Sequence, residues 1–188
     1  MWLWFSVSCA EGSRIDTDAA ADAGDHSQEA DVDETVVLGT WTDSRTGLVW
    51  QNPPLGRPLI WDQALAHCVA LEGGGWRMPT IGELRSLIRG CPETETGGSC
   101  PIADDCLPVS CQSDACSGCP LDEGPPVSCY WAEDLSGPCG YYWSSSKVQD
   151  YVGVAWLVYY LQGRVWYLGR EQPFYVRCVK EDPTAVQR

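Results

Sequence analysis

Three cysteines of this chain have the spacing of a metal site. Cys111, Cys116 and Cys119 follow the C-x4-C-x2-C pattern of a plant-type iron–sulfur centre, with Cys129 or Cys139 as a fourth ligand. Zinc would need a second C-x-x-C pair or a neighbouring histidine, and neither is present. Because eight cysteines crowd residues 91–139, such a spacing arises easily by chance. We therefore expect disulfides here, with no metal and no cofactor.

Two further pairs have the side chains of nucleophilic catalysis. Ser144 and Lys147 match the S-x-x-K motif of penicillin-recognising enzymes, but the chain lacks the partner motifs S-D-N and K-T-G. His67 precedes Cys68, yet adjacent residues of a helix do not face each other. The second histidine, His26, lies in a polar segment, so no Ser-His-acid triad can be assembled. We expect no enzyme.

Composition narrows the class of protein. Eleven cysteines in 188 residues are typical of a disulfide framework formed in an oxidising compartment, so we expect export. The net charge of -14, with no cluster of Lys and Arg, excludes a nucleic-acid partner, because no basic surface is present to displace phosphate counterions. Ten Trp and eight Tyr favour aromatic rings with a polar group, which suit recognition surfaces as well as cores.

The first nine residues resemble the end of a bacterial lipoprotein signal. Val7 and Ser8 precede Cys9, which would receive the lipid, but the apolar stretch is short, so we expect the natural start to lie upstream. Without Cys9, ten cysteines remain for pairing. A soluble start with an unpaired thiol is the alternative. A lipid anchor would be the only contact with a membrane, because the apolar run 151–161 is too short to span one.

Residues 10–35 contain nine acidic residues and one basic residue among Ala, Gly and Ser. Such a segment buries too little apolar surface to fold, and its charges repel one another. We expect a disordered acidic tether, followed by one folded domain over residues 36–188.

The folded domain begins with two short strands around the turn S-R-T-G, and a helix then starts at Trp61. Helical spacing places Trp61, Leu65, Cys68 and Val69 on one apolar face, and Gly73 ends the helix. The helix-to-helix segment G-G-G-W-R-M-P-T follows. In it we expect Trp76 to pack between the helices, and the role of Arg77 stays open.

A second helix begins at a T-x-x-E capping box formed by Thr80 and Glu83. This gives Glu83 a structural role instead of an acid–base one. The helix would bury a stripe of apolar residues and turn Arg85 and Arg89 outward before Gly90 ends it. The residues of the stripe are Ile81, Leu84, Leu87 and Ile88.

Residues 91–139 form a cysteine-rich insertion with almost no apolar periodicity, so cross-links must stabilise it. After it, residues alternate with period two, as expected for strands, and Gln162-Gly163 suits a tight hairpin turn. The segment F-Y-V-R-C-V-K predicts a final strand. The residues expected to share one sheet face are Val152, Val154, Trp156, Val158 and Tyr160.

Five segments in order resemble one family, the C-terminal domain of the Legionella collagen-like protein, a bacterial extracellular domain. They are DSRTGLVWQ, WDQALAHCVALEGGGWRMPTIGELRSLI, YYWSSS, AWLVYYLQGRV and YVRCVK, and they span about residues 39–180. The resemblance implies an α+β fold of the C-type lectin-like type, with two helices, a small twisted antiparallel sheet and a long irregular insertion.

The resemblance also implies a disulfide between Cys68 and Cys178. The remaining eight cysteines would then pair within the insertion in one of 105 arrangements, with pairs of neighbours favoured. These eight are Cys91, Cys100, Cys106, Cys111, Cys116, Cys119, Cys129 and Cys139.

Some properties of related proteins do not carry over. The calcium-binding loops of C-type lectins are absent, so no calcium site is expected. The R-x-P-T-x-x-E step is similar to one in sulfatase-modifying oxidases, but their late pair of active-site cysteines has no counterpart. Binding of sulfated glycans does not carry over either, because this domain is acidic.

We therefore expect a lipoprotein of the bacterial cell envelope, on the outer membrane or cell surface, with a binding or adhesion role and no catalysis. Its partner would be an unknown glycan or an envelope protein. The alternatives are a structural or protein-binding envelope module and, third, a relative of the sulfatase-modifying oxidases. Because sugar faces stack on flat rings, the candidate ligand residues are Trp131, Tyr141, Tyr142 and Trp166, with core packing as their alternative role.

Overall fold

The computed structural model describes residues 39–125 and 128–182, and the fold is α+β. The predicted lipid-bearing Cys9 and the acidic tether 10–35 lie outside the described residues. In chain order the elements are β1 (Thr40–Thr42), β2 (Leu48–Gln51), α1 (Trp61–Ala70), α2 (Ile81–Ser86), β3 (Tyr141–Lys147), β4 (Val154–Tyr159), β5 (Arg164–Gly169) and β6 (Val179–Glu181). Within this part of the chain, no helix has the length and apolar character needed to cross a bilayer.

The first sheet joins the two ends of the domain. Its strand order is β1-β2-β6, all antiparallel, and Trp50 of β2 lies opposite both Trp41 and Val179. The turn between β1 and β2 is closed by the carboxylate of Asp43, which accepts hydrogen bonds from the Arg45 amide and the Thr46 hydroxyl.

The second sheet has the order β3-β4-β5 and separates two apolar clusters. Trp143, Ala155 and Leu157 pack toward α1, whereas residues such as Trp156 and Val158 pack with α2 and the insertion. The predicted hairpin turn is present before β5, with Gly163 at φ +61°. The expectation for Val152 is wrong. It lies in the β3–β4 turn with a fully exposed side chain.

Helix α1 begins at Trp61 as predicted, but part of its predicted face is wrong. Trp61, Ala64 and Cys68 are buried, whereas Val69 is 74% exposed. The helix rests on the sheet through a narrow stripe, and Val69 lies just outside that stripe. Trp76 is buried in the same cluster as these residues. It packs on the α1 side of the sheet and not between the helices.

Helix α2 has the predicted capping box. The Thr80 hydroxyl accepts from the Glu83 amide and the Glu83 carboxylate accepts from the Thr80 amide. The predicted apolar stripe is buried, with Ile81, Leu84, Leu87 and Ile88 each at most 1% exposed. The helix ends at Ser86, with Leu87 as its C-cap, four residues before Gly90.

The outward orientation predicted for Arg85 and Arg89 is wrong. Arg85 is buried, and its guanidinium donates to the backbone carbonyls of Thr94, Glu95 and Ile102 in the insertion. Arg89 is half-buried beside Asp43. The insertion covers this side of α2, and helical periodicity carries no information about such a cover.

All ten cysteines between residues 68 and 178 are paired, with Cys68 bonded to Cys178. The other four disulfides lie inside residues 91–139. Cys91–Cys119 encloses Cys100–Cys116, which encloses Cys106–Cys111, and Cys129–Cys139 follows separately. The preference for neighbouring cysteines therefore holds for Cys106–Cys111 and Cys129–Cys139, and it is wrong for the two outer pairs of the nest.

Candidate functional site

A surface groove of about 470 Å³ lies between the β1–β2 turn, the segment after α2 and the end of the insertion. We call it the turn–insertion groove. Its lining combines two tryptophans with charged side chains of both signs. The lining residues are Trp41, Asp43, Ser44, Arg45, Arg89, Pro125, Trp131, Ala132, Glu133 and Asp134.

One end of the groove is formed by the β1–β2 turn. The carboxylate of Asp43 is buried and lies 3.6 Å from the guanidinium of Arg89, and Arg45 is exposed beside them. Burial lowers the pKa of Arg89, with a smaller effect of Arg45 in the same direction, while Asp43 acts against both. Arg89 stays positively charged at neutral pH.

The other end of the groove is formed by β1 and the insertion. The indole Nε1 of half-buried Trp41 donates to the carboxylate of Asp134 at 3.3 Å, which fixes the ring against residues 131–134. Glu133 and Asp134 are both exposed. Among the described residues, no aromatic ring or cation stacks on Trp41. Trp41 also packs partly against the core cluster that contains Trp50, so only part of its side chain lines the groove.

The side chain of Trp131 forms the floor of the groove and contacts the buried Arg177. Trp131 is 2% exposed, and the guanidinium of Arg177 lies 5.2 Å from its ring and 5.7 Å from that of Tyr142. Arg177 also donates to the carbonyl oxygens of Gln51 and Ser136. Burial lowers the pKa of Arg177. This contact orders the end of the insertion against β2.

Only one of the four predicted ligand residues lines this groove. Trp131 forms its floor, whereas Tyr142 is fully buried in the core, and its hydroxyl donates to the carbonyl of Pro138. Tyr142 therefore has no face open to solvent. Alternation along β3 does not indicate which face of the sheet is buried, so the sequence did not show that Tyr142 belongs to the core.

The other two candidates lie on the second sheet with their rings covered. Tyr141 stacks on Tyr159 with a centroid distance of 4.1 Å. The ring of Trp166 has the guanidinium of Arg164 3.9 Å from its centroid and Tyr167 stacked at 5.2 Å. Both rings are half-buried, as Trp41 is, but they pack against neighbouring side chains and do not line the groove.

Sequence reasoning missed Trp41. It lies 90 residues from Trp131, and no local motif connects them. The sequence shows a single tryptophan in a short strand, and one partly exposed apolar side chain does not by itself indicate a site.

Several of the residues considered for catalysis or metal binding have structural contacts. Glu83 pairs with Arg77, and the Ser144 hydroxyl donates to the carbonyl of Trp156 at 2.6 Å. Burial lowers the pKa of His67, and Arg57 adds to the effect. Within the described residues, one group has metal-ligand proximity, Cys91, Glu93 and Cys119. Its two sulfur atoms form a disulfide, which removes the thiolates a metal would need.

The comparison with known protein families finds a match. The family model named Lcl C-terminal domain matches residues 39–180, from the start of β1 to within β6. The chain belongs to the Lcl C-terminal domain family. No curated protein shows a significant match to the chain.

Membership of the Lcl C-terminal domain family and the five disulfides together indicate a bacterial surface or secreted domain, in an extracellular or envelope location. The predicted family is thereby confirmed. The turn–insertion groove lies within the matched residues, since its lining runs from Trp41 to Asp134.

Proposed function

We propose that this domain is a C-type lectin-like binding module that takes a carbohydrate in the turn–insertion groove and catalyses no reaction. The observation that carries the proposal is the half-buried ring of Trp41, which lines the groove beside charged side chains. A sugar ring has an apolar face that stacks on a flat indole, and its hydroxyls hydrogen-bond to carboxylates and guanidinium groups. Trp41, Asp134 and Arg45 supply this combination at one site.

The lectin-like assignment is supported by the arrangement of the elements. Two helices are followed by a long irregular insertion, and antiparallel strands complete the domain. A disulfide joins α1 to the segment entering the last strand, β6. The cysteine-rich insertion supplies part of the groove and therefore part of the proposed binding surface.

A binding role without catalysis is supported by the contacts of the candidate catalytic groups. Glu83 completes a capping box and an ion pair, and Ser144 hydrogen-bonds to the neighbouring strand. The sulfatase-modifying alternative needs a redox-active pair of cysteines. A count of free thiols tests it. Ten protected cysteines that resist mild reductant would exclude that alternative, whereas a readily reduced pair would support it.

The ligand proposal is tested by screening the purified domain on an array of glycans and peptidoglycan fragments. Positive ligands are then measured by calorimetry with the variant Trp41→Ala. Loss of a stacking ring should weaken binding by about 1–2 kcal/mol, or roughly fivefold to thirtyfold. Tyr151→Ala is the matched control, because Tyr151 is 56% exposed in the β3–β4 turn and does not line the groove. No glycan bound, or equal loss in both variants, would reject the proposal.

Anchoring through Cys9 belongs to the same proposal. The Val-Ser-Cys step and the acidic segment after it are typical of a lipoprotein with a spacer. Mass spectrometry of the natural N-terminus tests this directly. A diacylglyceryl Cys9 is expected, and an unmodified Cys9 preceded by Met1 would contradict it.

A second candidate is a module that binds an envelope protein. The observation that favours it is the β3–β4 turn, where Tyr151 and Val152 expose large apolar side chains next to each other. Cross-linking in intact cells followed by mass spectrometry would show a protein partner at this turn. That candidate predicts loss of the cross-link in Tyr151→Ala and not in Trp41→Ala.

A further inference from the structure

The five disulfides differ in how accessible their cysteines are to solvent. In four of them at least one cysteine is at most 2% exposed. In the remaining pair, Cys106 and Cys111 are both half-buried, and Cys106 packs against neither core cluster of the described residues. Because a thiolate must reach a sulfur atom directly to open a disulfide, Cys106–Cys111 is the most accessible of the five bonds.

The same bond closes the shortest loop. Cys106 and Cys111 are five positions apart, whereas the other pairs are separated by 10 to 110 positions. In the chain-entropy model, the shortest loop gains the least stability from its cross-link. After the bond opens, the two thiols stay close along the chain, so the bond can form again without refolding of the domain.

The loop between these two cysteines holds the β3–β4 turn in place. The carbonyl oxygen of Leu107 accepts hydrogen bonds from the Gln149 amide at 3.2 Å and from the Trp156 indole at 2.9 Å. The Val109 amide donates to the carboxylate of Asp150 at 2.9 Å. Both contact residues of the loop lie between the cross-linked cysteines, so the disulfide restricts where these groups can lie.

We infer that Cys106–Cys111 is a redox-sensitive device that controls the order of the β3–β4 turn. A thiolate of a dithiol reductant attacks the Cys106 sulfur, the Sγ–Sγ bond breaks, and its electron pair leaves on the Cys111 sulfur. The second thiol of the reductant then displaces Cys106 from the mixed disulfide. The products are two cysteine thiols and a reductant oxidised to its disulfide, after transfer of two electrons and two protons. The other four disulfides stay closed.

Opening the bond frees Leu107 and Val109 and thereby loosens the turn. This turn exposes Tyr151 and Val152, the apolar pair on which the second candidate function rests. The redox state of the loop therefore acts on that surface. The device is measured without a partner protein, so its failure and the failure of the partner proposal are distinguishable.

Graded reduction of the whole chain with dithiothreitol measures the order in which the disulfides open. Free thiols are blocked with iodoacetamide at each step and located by mass spectrometry of peptides. Cys106 and Cys111 should be blocked at least about tenfold faster than any other pair. Earlier opening of another pair, or opening of all five together, would overturn the inference. Only this rank is predicted, so the pair need not open in the mild reductant that tests the oxidase alternative.

Hydrogen exchange followed by NMR tests the coupling to the turn. In the selectively reduced protein, the Gln149 amide and the Trp156 indole NH should exchange at least about tenfold faster, because both lose a fixed acceptor. The Tyr160 amide, which donates to the carbonyl of Gly140, is the internal control and should keep its rate. Unchanged exchange at Gln149 and Trp156 would overturn the inference.

Variants imitate the open state without a reductant. Cys106→Ser combined with Cys111→Ser should speed exchange at Gln149 as reduction does. Cys129→Ser combined with Cys139→Ser is the matched control, because it opens the next shortest loop. Equal acceleration in both double variants would show a general loosening of the domain and would also overturn the inference.

Discussion

Arg77 and Glu83 form a doubly hydrogen-bonded ion pair at the joint between the two helices. Arg77 Nη1 and Nη2 lie 2.7 Å from Glu83 Oε2 and Oε1. The same carboxylate accepts from the Thr80 amide at 2.8 Å, and Arg77 Nη2 also reaches Glu181 of β6 at 2.9 Å. One guanidinium therefore connects the last strand, the joint and the start of α2. The role of Arg77 is to fix this joint.

This contact shifts the pKa values of Arg77 and Glu83. The hydrogen bond to Glu83 raises the pKa of Arg77, although burial acts against it. Burial alone would raise the pKa of Glu83, but the hydrogen bonds from Arg77 and Thr80 outweigh it and lower that pKa. The charged forms of both residues are therefore favoured in the folded state.

We predict that Glu83→Gln destabilises the domain by about 1–3 kcal/mol at pH 7, because it removes the ion pair and weakens the capping box. Since folding lowers the pKa of Glu83, its contribution is present above the carboxyl's ordinary pKa of 4.5 and is lost as pH falls below that value. Urea unfolding of the two proteins should therefore differ at pH 7, and the difference should narrow as pH falls toward 3. Glu72→Gln, at an exposed position, serves as the control. A constant difference between pH 7 and pH 3 would contradict the assignment.

The disulfides should differ in how much they stabilise the domain, according to the length of the loop that each one closes. Cys68 and Cys178 are 110 residues apart, whereas Cys106 and Cys111 are five apart. By the chain-entropy model, replacing both cysteines of the long loop with Ala costs about 4–5 kcal/mol, and the same change in the short loop costs about 2 kcal/mol. Thermal unfolding of the two double variants measures this. Equal losses would show that loop entropy does not control stability here.

Arg85 should control the order of the insertion. Arg85→Met removes the donors for the carbonyl groups of Thr94, Glu95 and Ile102 while keeping an apolar side chain in the core. We expect a loss of about 2–4 kcal/mol, and faster amide exchange over residues 94–102. Arg57→Met, at an exposed position, is the control. Arg85→Lys should rescue only in part, because an ammonium group cannot match the forked geometry of guanidinium. Unchanged exchange over residues 94–102 in Arg85→Met would disprove this role.

Tyr142 should make the domain sensitive to alkali. Burial raises the pKa of Tyr142 to about 12, although Arg177 acts in the opposite direction. Because folding raises this pKa, the stability it contributes is complete below pH 10 and is lost as pH rises toward 12, by at most about 1.4 kcal/mol per pH unit. Tyr142→Phe should show a shallower decline in urea unfolding between pH 9 and pH 11. Tyr151→Phe should keep the wild-type slope, and a variant that declines as steeply as wild type would refute the prediction.

The local sequence pattern was sufficient to predict contacts between residues that lie close together in the chain. The capping box joins Thr80 and Glu83 three residues apart, and helical spacing identified the buried stripe from Ile81 to Ile88. The same reasoning failed for Arg85 and Val69. Their environments are set by the insertion and by the narrow contact of α1 with the sheet, which lie far away in sequence.

The candidate site was predicted only in part, because residues distant in the chain form it. Trp131 was recognised as a candidate, but Trp41, which lines the same groove, belongs to the first strand, and only the folded domain brings the two to one site. Packing decides that Trp41 lines the groove whereas Tyr141 and Trp166 stack on other side chains, and composition does not encode this.

The sequence by itself determined the family, the α+β class and both helices, since these depend on periodicity, caps and ordered motifs. Only the tertiary structure decided which cysteines of the insertion pair and which aromatic rings line the groove. It also decided which carboxylates Arg77 binds. Cross-links and side-chain contacts between distant residues depend on how the chain closes its loops, and many closures are compatible with one pattern of residue types. The Cys129–Cys139 disulfide closes the loop that contains Glu133 and Asp134, and a hydrogen bond from Trp41 to Asp134 joins this loop to β1.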